Sequence, residues 1–123
     1  MIKLVYCIRK RADITSEEFY RYWLYDHAPL ASKFADAIKA RKYVQSHTVA
    51  PEINQTFRES RGLAEAYDGI TEVWWDDLDL LKDGMESAEG QVAGRALQED
   101  EAKFIDFAHS NVFITEEHLI FDL

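Results

Sequence analysis

The segment Ile14-Thr15-Ser16-Glu17-Glu18-Phe19 carries the clearest structural signal in the chain. Thr15 followed three residues later by Glu18 is a capping box, in which each side chain bonds to the backbone N–H of the other residue. The apolar residues on either side of this box occupy the positions of a hydrophobic staple. The segment therefore predicts a helix that begins at Ser16.

Beyond its first turn, this helix presents an apolar stripe that contains Phe19 and Trp23, with His27 at its edge. Pro29 interrupts the pattern, because proline has no N–H to donate and disfavours helical geometry in the residue before it. We therefore expect a kink or a break at His27-Ala28, followed by a second helical segment at residues 29–37.

Four segments elsewhere in the chain, one before this helix and three after it, are rich in β-branched and aromatic residues. They predict strands at residues 2–9, 42–49, 70–75 and 112–121. A second helical region is predicted to begin at a cap on Asp76 or Asp77. Ser87 restarts it, and its apolar residues continue toward Ile105. The chain thus alternates between strands and helices over its whole length.

The resulting order is βαββαβ, typical of the ferredoxin-like α+β fold, with helices on one face of a four-stranded antiparallel sheet. A single domain at residues 1–123 accommodates it. The longest connection, at residues 51–69, is long enough to hold a binding element or a lid. It contains a predicted short helix at residues 54–61.

Such a sheet leaves its second face without helices. A bare apolar sheet face is unusual on a soluble monomer, because exposed apolar patches promote association. Two copies of the chain that pack sheet to sheet would bury this face. We therefore predict a homodimer.

The composition excludes several classes of partner. Lys and Arg number 14 against 23 Asp and Glu, so the formal net charge is −9, which disfavours nucleic acid and anionic membranes. No segment approaches the ~20 apolar residues that span a bilayer.

Cys7 is the only cysteine, as expected for a protein of the reducing cytoplasm. Nucleotide-loop, nucleophile-elbow, paired-histidine and EF-hand motifs are missing, and the four histidines have no metal-ligand spacing, so no cofactor or metal is predicted.

The segment at residues 20–30 has the highest density of side chains that could take part in chemistry. Its four aromatic residues precede His27, which lies at the expected helix break. An imidazole has an ordinary pKa near 6.5, so it can act as a general base at neutral pH. The alternative is a structural histidine that bonds to carbonyl groups left free by the break.

Two further groups of polar side chains share strand faces. Tyr43, Gln45 and His47 alternate on the second strand, so they lie on one face. If that face points toward the helices, it offers a base, a phenol and an amide in one column; if it points outward, the column is a solvated or dimer-contact stripe. Glu72 shares a face with Trp74, and partial burial would raise the pKa of its carboxyl. The alternative for Glu72 is an ion pair or hydrogen bond across the sheet.

Segments along essentially the whole chain resemble the EthD family: Ile2-Lys3-Leu4-Val5-Tyr6, Phe19, Tyr22-Trp23, His27-Ala28-Pro29-Leu30, Tyr43-Val44-Gln45-Ser46-His47, Asp68-Gly69-Ile70-Thr71-Glu72-Val73-Trp74-Trp75-Asp76, Asp100-Glu101-Ala102-Lys103-Phe104-Ile105-Asp106 and Thr115-Glu116-Glu117-His118. The resemblance implies a dimeric α+β barrel with a small hydrophobic ligand between sheet and helices. It also implies His27 as the leading pocket residue, with Trp23 beside it and with Tyr43 and His47 as further polar positions.

Two hypotheses of function follow. The first is a cofactor-free enzyme that transfers protons in an isomerisation, dehydration or cyclisation of a small hydrophobic or aromatic carbonyl compound. Its candidate catalytic residues are His27, His47 and Tyr43, and its candidate substrate-binding residues are Trp23, Phe19, Gln45, Glu72 and Trp74. The second hypothesis is a non-catalytic binding or carrier protein for a hydrophobic small molecule.

Overall fold

The computed structural model describes residues 1–123 as one four-stranded sheet with five α-helices. In chain order the elements are β1 (Ile2–Ile8), α1 (Ser16–Tyr22), a π-helical turn (Trp23–His27), α2 (Ala28–Lys33), β2 (Lys42–His47), α3 (Pro51–Arg61), β3 (Gly69–Trp75), α4 (Leu78–Glu86), α5 (Ala88–Glu101), a 3₁₀ turn (Phe107–His109) and β4 (Asn111–Glu116). The predicted βαββαβ order and the α+β class are confirmed, and α3 lies inside the long connection.

All neighbouring strands are antiparallel, in the order β2-β3-β1-β4. Directly paired residues share a face, so the register divides the sheet into two sets. The side that packs on the helices, here called the helix face, includes Leu4, Tyr6, Tyr43, Gln45, His47, Thr71 and Val73. The other side, here called the open face, includes Lys3, Val5, Val44, Ile70, Glu72, Trp74 and Phe113.

The predicted capping box is present at the start of α1. The Glu18 N–H donates to Thr15 Oγ1 at 3.1 Å, and the Thr15 N–H donates to Glu18 Oε1 at 3.3 Å. Ile14 packs against the core cluster that contains Phe19, as the staple predicts. This local signal was readable because all of its partners lie within a few residues of one another.

The expected kink or break at His27-Ala28 is wrong. The helical path continues from α1 into α2 through the π turn, and the Ala28 N–H donates to the Trp23 carbonyl five residues earlier. A π turn contains one residue more than an α turn, and the wider turn accommodates Pro29 without ending the helix. The second segment is also shorter than expected, since α2 ends at Lys33.

Three strands end before their predicted limits, at Ile8, His47 and Glu116. The largest difference is in β4, which was predicted to reach Phe121. The register pairs Glu116 with Ile2, the first residue of β1, so the residues after Glu117 pass beyond the neighbouring strand and have no ladder to join. The apolar side chains of this last segment are exposed.

The other helix limits follow local chemistry. Asp77 and Ser87 accept from backbone N–H groups and cap α4 and α5, as predicted. The short helix expected at residues 54–61 begins earlier, at Pro51, because proline suits the first helical position. Gly62 ends it with a φ of +65°. No helix is both long and apolar enough to cross a membrane.

Two clusters of buried apolar side chains lie between the sheet and the helices. One contains Ile8, Phe19, Trp23, Phe104 and Ile105, and the other contains Val73, Trp75 and Leu81. Trp75 donates from Nε1 to the Ile38 carbonyl at 2.8 Å, while its neighbour Trp74 points to the open face. The two consecutive tryptophans therefore lie on opposite faces, as strand alternation predicts.

Candidate functional site

A cavity of about 540 Å³ lies between the helix face and the helices. Members of both apolar clusters line it, so it separates them. Of its 22 lining residues, 17 are hydrophobic, and none is Lys or Arg. This volume suits a small, mostly apolar molecule, and the few polar lining groups would fix its orientation.

His27 is held in the cavity wall by Asp100. The His27 side chain is 6% exposed and its Nδ1 lies 2.7 Å from Asp100 Oδ2. The other carboxylate oxygen of Asp100 accepts from the Tyr22 hydroxyl at 2.5 Å. Burial alone would raise the pKa of Asp100, but the hydrogen bonds from Tyr22 and His27 hold that pKa below its ordinary value. A carboxylate at this place accepts from Nδ1–H, which leaves Nε2 of His27 as the nitrogen free to take a proton.

Tyr43 is oriented by a chain of side-chain hydrogen bonds along β2. Gln45 Nε2 donates to the Trp23 carbonyl at 2.8 Å and to the Tyr43 hydroxyl oxygen at 3.0 Å. A carbonyl can only accept, so the orientation of the Gln45 amide is fixed, and its Oε1 accepts from His47 Nε2 at 2.9 Å. The Tyr43 oxygen is thus occupied as an acceptor, and its O–H remains available to donate into the cavity that it lines.

His47 lies behind the cavity wall. Its ring stacks on Trp23 with centroids 4.5 Å apart and on Tyr20 at 5.2 Å. Burial lowers the pKa of His47, which favours the neutral ring that donates to Gln45. This histidine therefore acts on the cavity only through Trp23, Gln45 and Tyr43.

Trp23 adds a second donor. Its indole Nε1 is buried and makes no hydrogen bond of good geometry within the chain, although it lies close enough to the Tyr43 hydroxyl to oppose the rise that burial gives the pKa of that phenol. The residue also lines the cavity. The far edge of the indole lies over Gly69, where a Cβ atom would be 2.5 Å from Cη2 and Cζ3. A buried, unpaired N–H is costly, and a ligand oxygen in the cavity would pair it.

Glu101 places a carboxyl group in the same cavity, on the last turn of α5. Burial raises the pKa of Glu101 to about 7, the nearby Asp100 charge adds to this, and the Tyr6 phenol opposes it. A partly buried carboxyl with a pKa near 7 is present in both protonation states at neutral pH.

The structure brings together only part of the predicted site. His27, Tyr43 and Trp23 line the cavity. Gln45 and His47 stand behind Tyr43 and Trp23, and Phe19 is a fully buried core residue. Glu72 and Trp74 do not reach the cavity, because they lie on the open face.

On the open face, Glu72 makes an ion pair with Lys3, with Nζ and Oε2 2.7 Å apart. The Trp74 indole donates to the Glu117 carboxylate. Glu72 thus adopts the alternative of an ion pair across the sheet, and neither residue is retained in the candidate site.

Sequence reasoning missed Asp100, Tyr22 and Glu101 as site residues. A signal was present in the sequence at the end of α5: Leu97, Glu101 and Ile105 recur every four residues, a helical spacing that predicts a carboxyl group within an apolar stripe, although the helix itself ends at Glu101. Asp100 likewise lies four residues before Phe104 of the core. Their partners on other elements could not be identified without the packing of α5 against the helix face.

No group of three His, Cys, Asp or Glu side chains is close enough to hold a metal ion. The two remaining histidines are exposed and paired locally, His109 with Asp106 and His118 with Glu116. Neither lies at the cavity.

Comparisons with known proteins agree with the fold and the family resemblance. The model of the EthD domain matches residues 11–108. A solved EthD (ethyl tert-butyl ether D) family protein from Bacillus halodurans C-125 has a TM-score of 0.64 and 23% identity, covering 96% of this chain and 99% of that chain. No match is found among curated proteins.

Two further solved structures share the fold at lower identity. A dimeric ferredoxin-like protein from Thermobifida fusca has a TM-score of 0.58 and 15% identity, covering 93% of this chain and 88% of that chain. HapK from Hahella chejuensis has a TM-score of 0.55 and 11% identity, covering 100% of this chain and 97% of that chain. Identities this low support the architecture alone.

Proposed function

We propose that this chain, which belongs to the EthD family, is a cofactor-free enzyme that transfers a proton on a small hydrophobic carbonyl compound. The observation that carries the proposal is the His27–Asp100 pair at the wall of a largely apolar cavity. A buried imidazole oriented by a carboxylate, with its second nitrogen unpaired beside a ligand-sized volume, is the arrangement of a general base.

In the proposed step, His27 Nε2 removes a proton from the carbon next to the carbonyl group. The electron pair of the broken C–H bond forms a C=C bond, and a carbonyl electron pair moves to the oxygen. Tyr43 O–H and Trp23 Nε1–H donate to that oxygen, where negative charge develops. Donors preorganised in an apolar site stabilise such charge more than water does.

Proton exchange on a simple ketone tests this function. In D₂O, 4-phenylbutan-2-one with the wild-type protein should exchange the hydrogens next to its carbonyl group, measured by ¹H NMR. His27→Asn keeps an N–H for Asp100 but removes the base, so we expect a rate at least about 100-fold lower. His118→Asn, at an exposed histidine, is the matched control and should exchange like wild type.

A wild-type protein that catalyses no exchange, or an H27N variant that exchanges at the wild-type rate, would refute this mechanism. The second candidate function is a binding or carrier protein, which the 17 hydrophobic lining residues also favour. Binding of the ketone by calorimetry without catalysed exchange would support that alternative.

The open face supports a homodimer formed by sheet-to-sheet packing. Val5 and Ile70 lie on its two central strands, and Phe113 on β4 is 50% exposed. No helix of the chain covers this face, and burial of its apolar side chains against a second copy would be favourable. The Thermobifida fusca protein with this fold is dimeric.

The composition of the chain bears on its other partners and on its compartment. The net charge of −9 disfavours nucleic acid and anionic membranes. Cys7 is partly buried and free, which suits a reducing compartment, and we place the protein in the cytoplasm.

A further inference from the structure

Glu101 is the one cavity carboxyl that the proton-abstraction step above does not use. It borders both the inner cavity and the more open groove that continues past Leu97 and Val112 toward β4. The walls of the cavity contain no cation that would hold this group permanently ionised. A titratable group in this position can both contact a ligand and exchange protons through the groove.

The groups around Glu101 decide its protonation. Tyr6 on β1, Tyr43 on β2, His27 on the π turn and Asp100 on α5 are the ionisable neighbours at the cavity. On the groove side, the exposed Arg95 of α5 lines the same opening as Glu101. Burial is the main reason that the pKa of Glu101 lies near 7, and the Asp100 carboxylate raises it further. The acid form is therefore well populated at neutral pH, in the same cavity as a histidine whose Nδ1 is paired with Asp100.

We infer that Glu101 is a second catalytic residue of this cavity, the acid that complements His27, and that the substrate is a β-hydroxy carbonyl compound that loses water. This inference rests on the proposed function. His27 removes the proton next to the carbonyl, and the C–H electron pair forms the C=C bond. The bond from the β-carbon to the hydroxyl oxygen breaks as Glu101 protonates that oxygen. The products are an unsaturated carbonyl compound and water, with His27 protonated and Glu101 ionised.

Water elimination is the reaction that needs both groups. In an isomerisation, one base can remove a proton and return it to another carbon, so a second acid adds little. Hydroxide is a poor leaving group, so elimination requires an acid at the hydroxyl as well as a base at the carbon. After the reaction, the imidazolium and the carboxylate exchange one proton with solvent and return to their starting states.

The experiment compares elimination with exchange in the same proteins. The probe for elimination is 4-hydroxy-4-phenylbutan-2-one, whose product absorbs strongly as a conjugated enone; the probe for exchange is 4-phenylbutan-2-one. For Glu101→Gln we expect kcat/KM of elimination to fall at least about 100-fold and at least about tenfold more than exchange. Glu99→Gln, at an exposed residue of the same helix, should match wild type in both reactions.

The pH dependence provides a second readout. Elimination by the wild-type protein should fall about tenfold per pH unit above about 7, where Glu101 loses its proton, and Glu101→Gln should lose this dependence. A ¹³C NMR titration of the wild-type glutamate carboxyls should show one group that titrates near 7, whether or not any variant folds.

The outcomes separate the two proposals. Wild-type protein that exchanges ketone hydrogens but does not eliminate water, or Glu101→Gln that eliminates water at the wild-type rate, overturns the role of Glu101 and leaves the proposed function intact. A carboxyl titration confined to pH values near 4.5 also overturns it. If the wild-type protein exchanges nothing, the proposed function fails, and the inference fails with it.

Discussion

The two faces of the sheet are made from alternate residues of the same strands, yet they differ in chemistry. The helix face presents Tyr43 and Thr71 to a cavity together with His27 and Glu101 from the helices. The open face carries the Lys3–Glu72 ion pair among apolar side chains and lacks a cover within the chain. Polar groups on the helix face are oriented by buried partners, whereas those on the open face are paired at the surface.

This difference indicates which property each face controls, the chemistry of the cavity or the association between chains. On the helix face, a change in a lining side chain alters the shape of the cavity or its proton chemistry, because these side chains form the cavity wall. On the open face, the same change would alter association between chains and leave the cavity as it is. Substitutions on the two faces should therefore separate assembly from chemistry.

The largest expected effect is on the open face. Val5→Lys places a charge at the centre of this face, and burial of an unpaired charge in a sheet-to-sheet interface is strongly unfavourable. We expect the dimer to dissociate to monomers in sedimentation velocity, with the helix face still folded. Val92→Lys makes the same exchange on the outside of α5, where Val92 is 59% exposed, and should leave the dimer intact. A V5K protein that remains dimeric would show that the open face is not the interface.

The next effect concerns pH on the helix face. The pKa of Glu101 rises from 4.5 to about 7 on folding, so the folded chain binds more protons than the unfolded chain between these values. Stability of the wild-type protein should therefore fall as pH rises through this window, by about 3 kcal/mol in all. Glu101→Gln removes this loss, so its stability relative to wild type should rise between pH 4.5 and 8 in urea denaturation. Glu99→Gln should follow the wild-type curve, and a Glu101→Gln curve parallel to wild type would contradict the buried carboxyl.

The smallest expected effect tests the close contact beneath Trp23. Gly69→Ala places a Cβ 2.5 Å from two indole carbons and 2.7 Å from the Ser46 carbonyl oxygen on β2, so the indole and the adjacent strand must both shift, at a cost of about 1–3 kcal/mol in free energy of unfolding. Gly94→Ala is the matched control, since nothing lies within 4 Å of a Cβ there. In the interior of α5 it should stabilise the protein by about 0.5–1 kcal/mol. Thermal and urea unfolding of both variants would measure the difference, and equal effects would mean that Trp23 is not held against β3.

Much of the fold could be predicted because its signals are local. The capping box at Thr15, the cap at Ser87 and the alternation of Trp74 with Trp75 each depend on residues near in sequence. The same alternation placed Tyr43, Gln45 and His47 on one face correctly. It could not say which face meets the helices, because a strand pattern is symmetric between its two sides until the helices are packed.

The candidate site was predictable only in part for the same reason. His27 was named as a candidate because it lies two residues before Pro29, where we expected the helix to break. The helix instead continues there through a π turn, which contains one residue more than an α turn. Asp100 is 73 residues away from His27 in the chain, so its role depends entirely on how α5 lies against the π turn. Glu72 was named as a candidate substrate-binding residue, but it lies on the open face with Trp74, where Lys3 on the adjacent strand pairs with it.

The π turn at Trp23–His27 makes the site sensitive to residue number as well as residue type. Each residue in a helix advances the chain by about 100° of rotation, so a one-residue deletion in this turn would restore a regular α-helix and rotate one flank against the other. Either Trp23 would leave its place over Gly69, or the residues after His27 would turn away from the cavity. Among functional homologues, insertions and deletions between Ser16 and Lys33 should therefore be rarer than substitutions. The length of α3, which has no buried residue, should vary more.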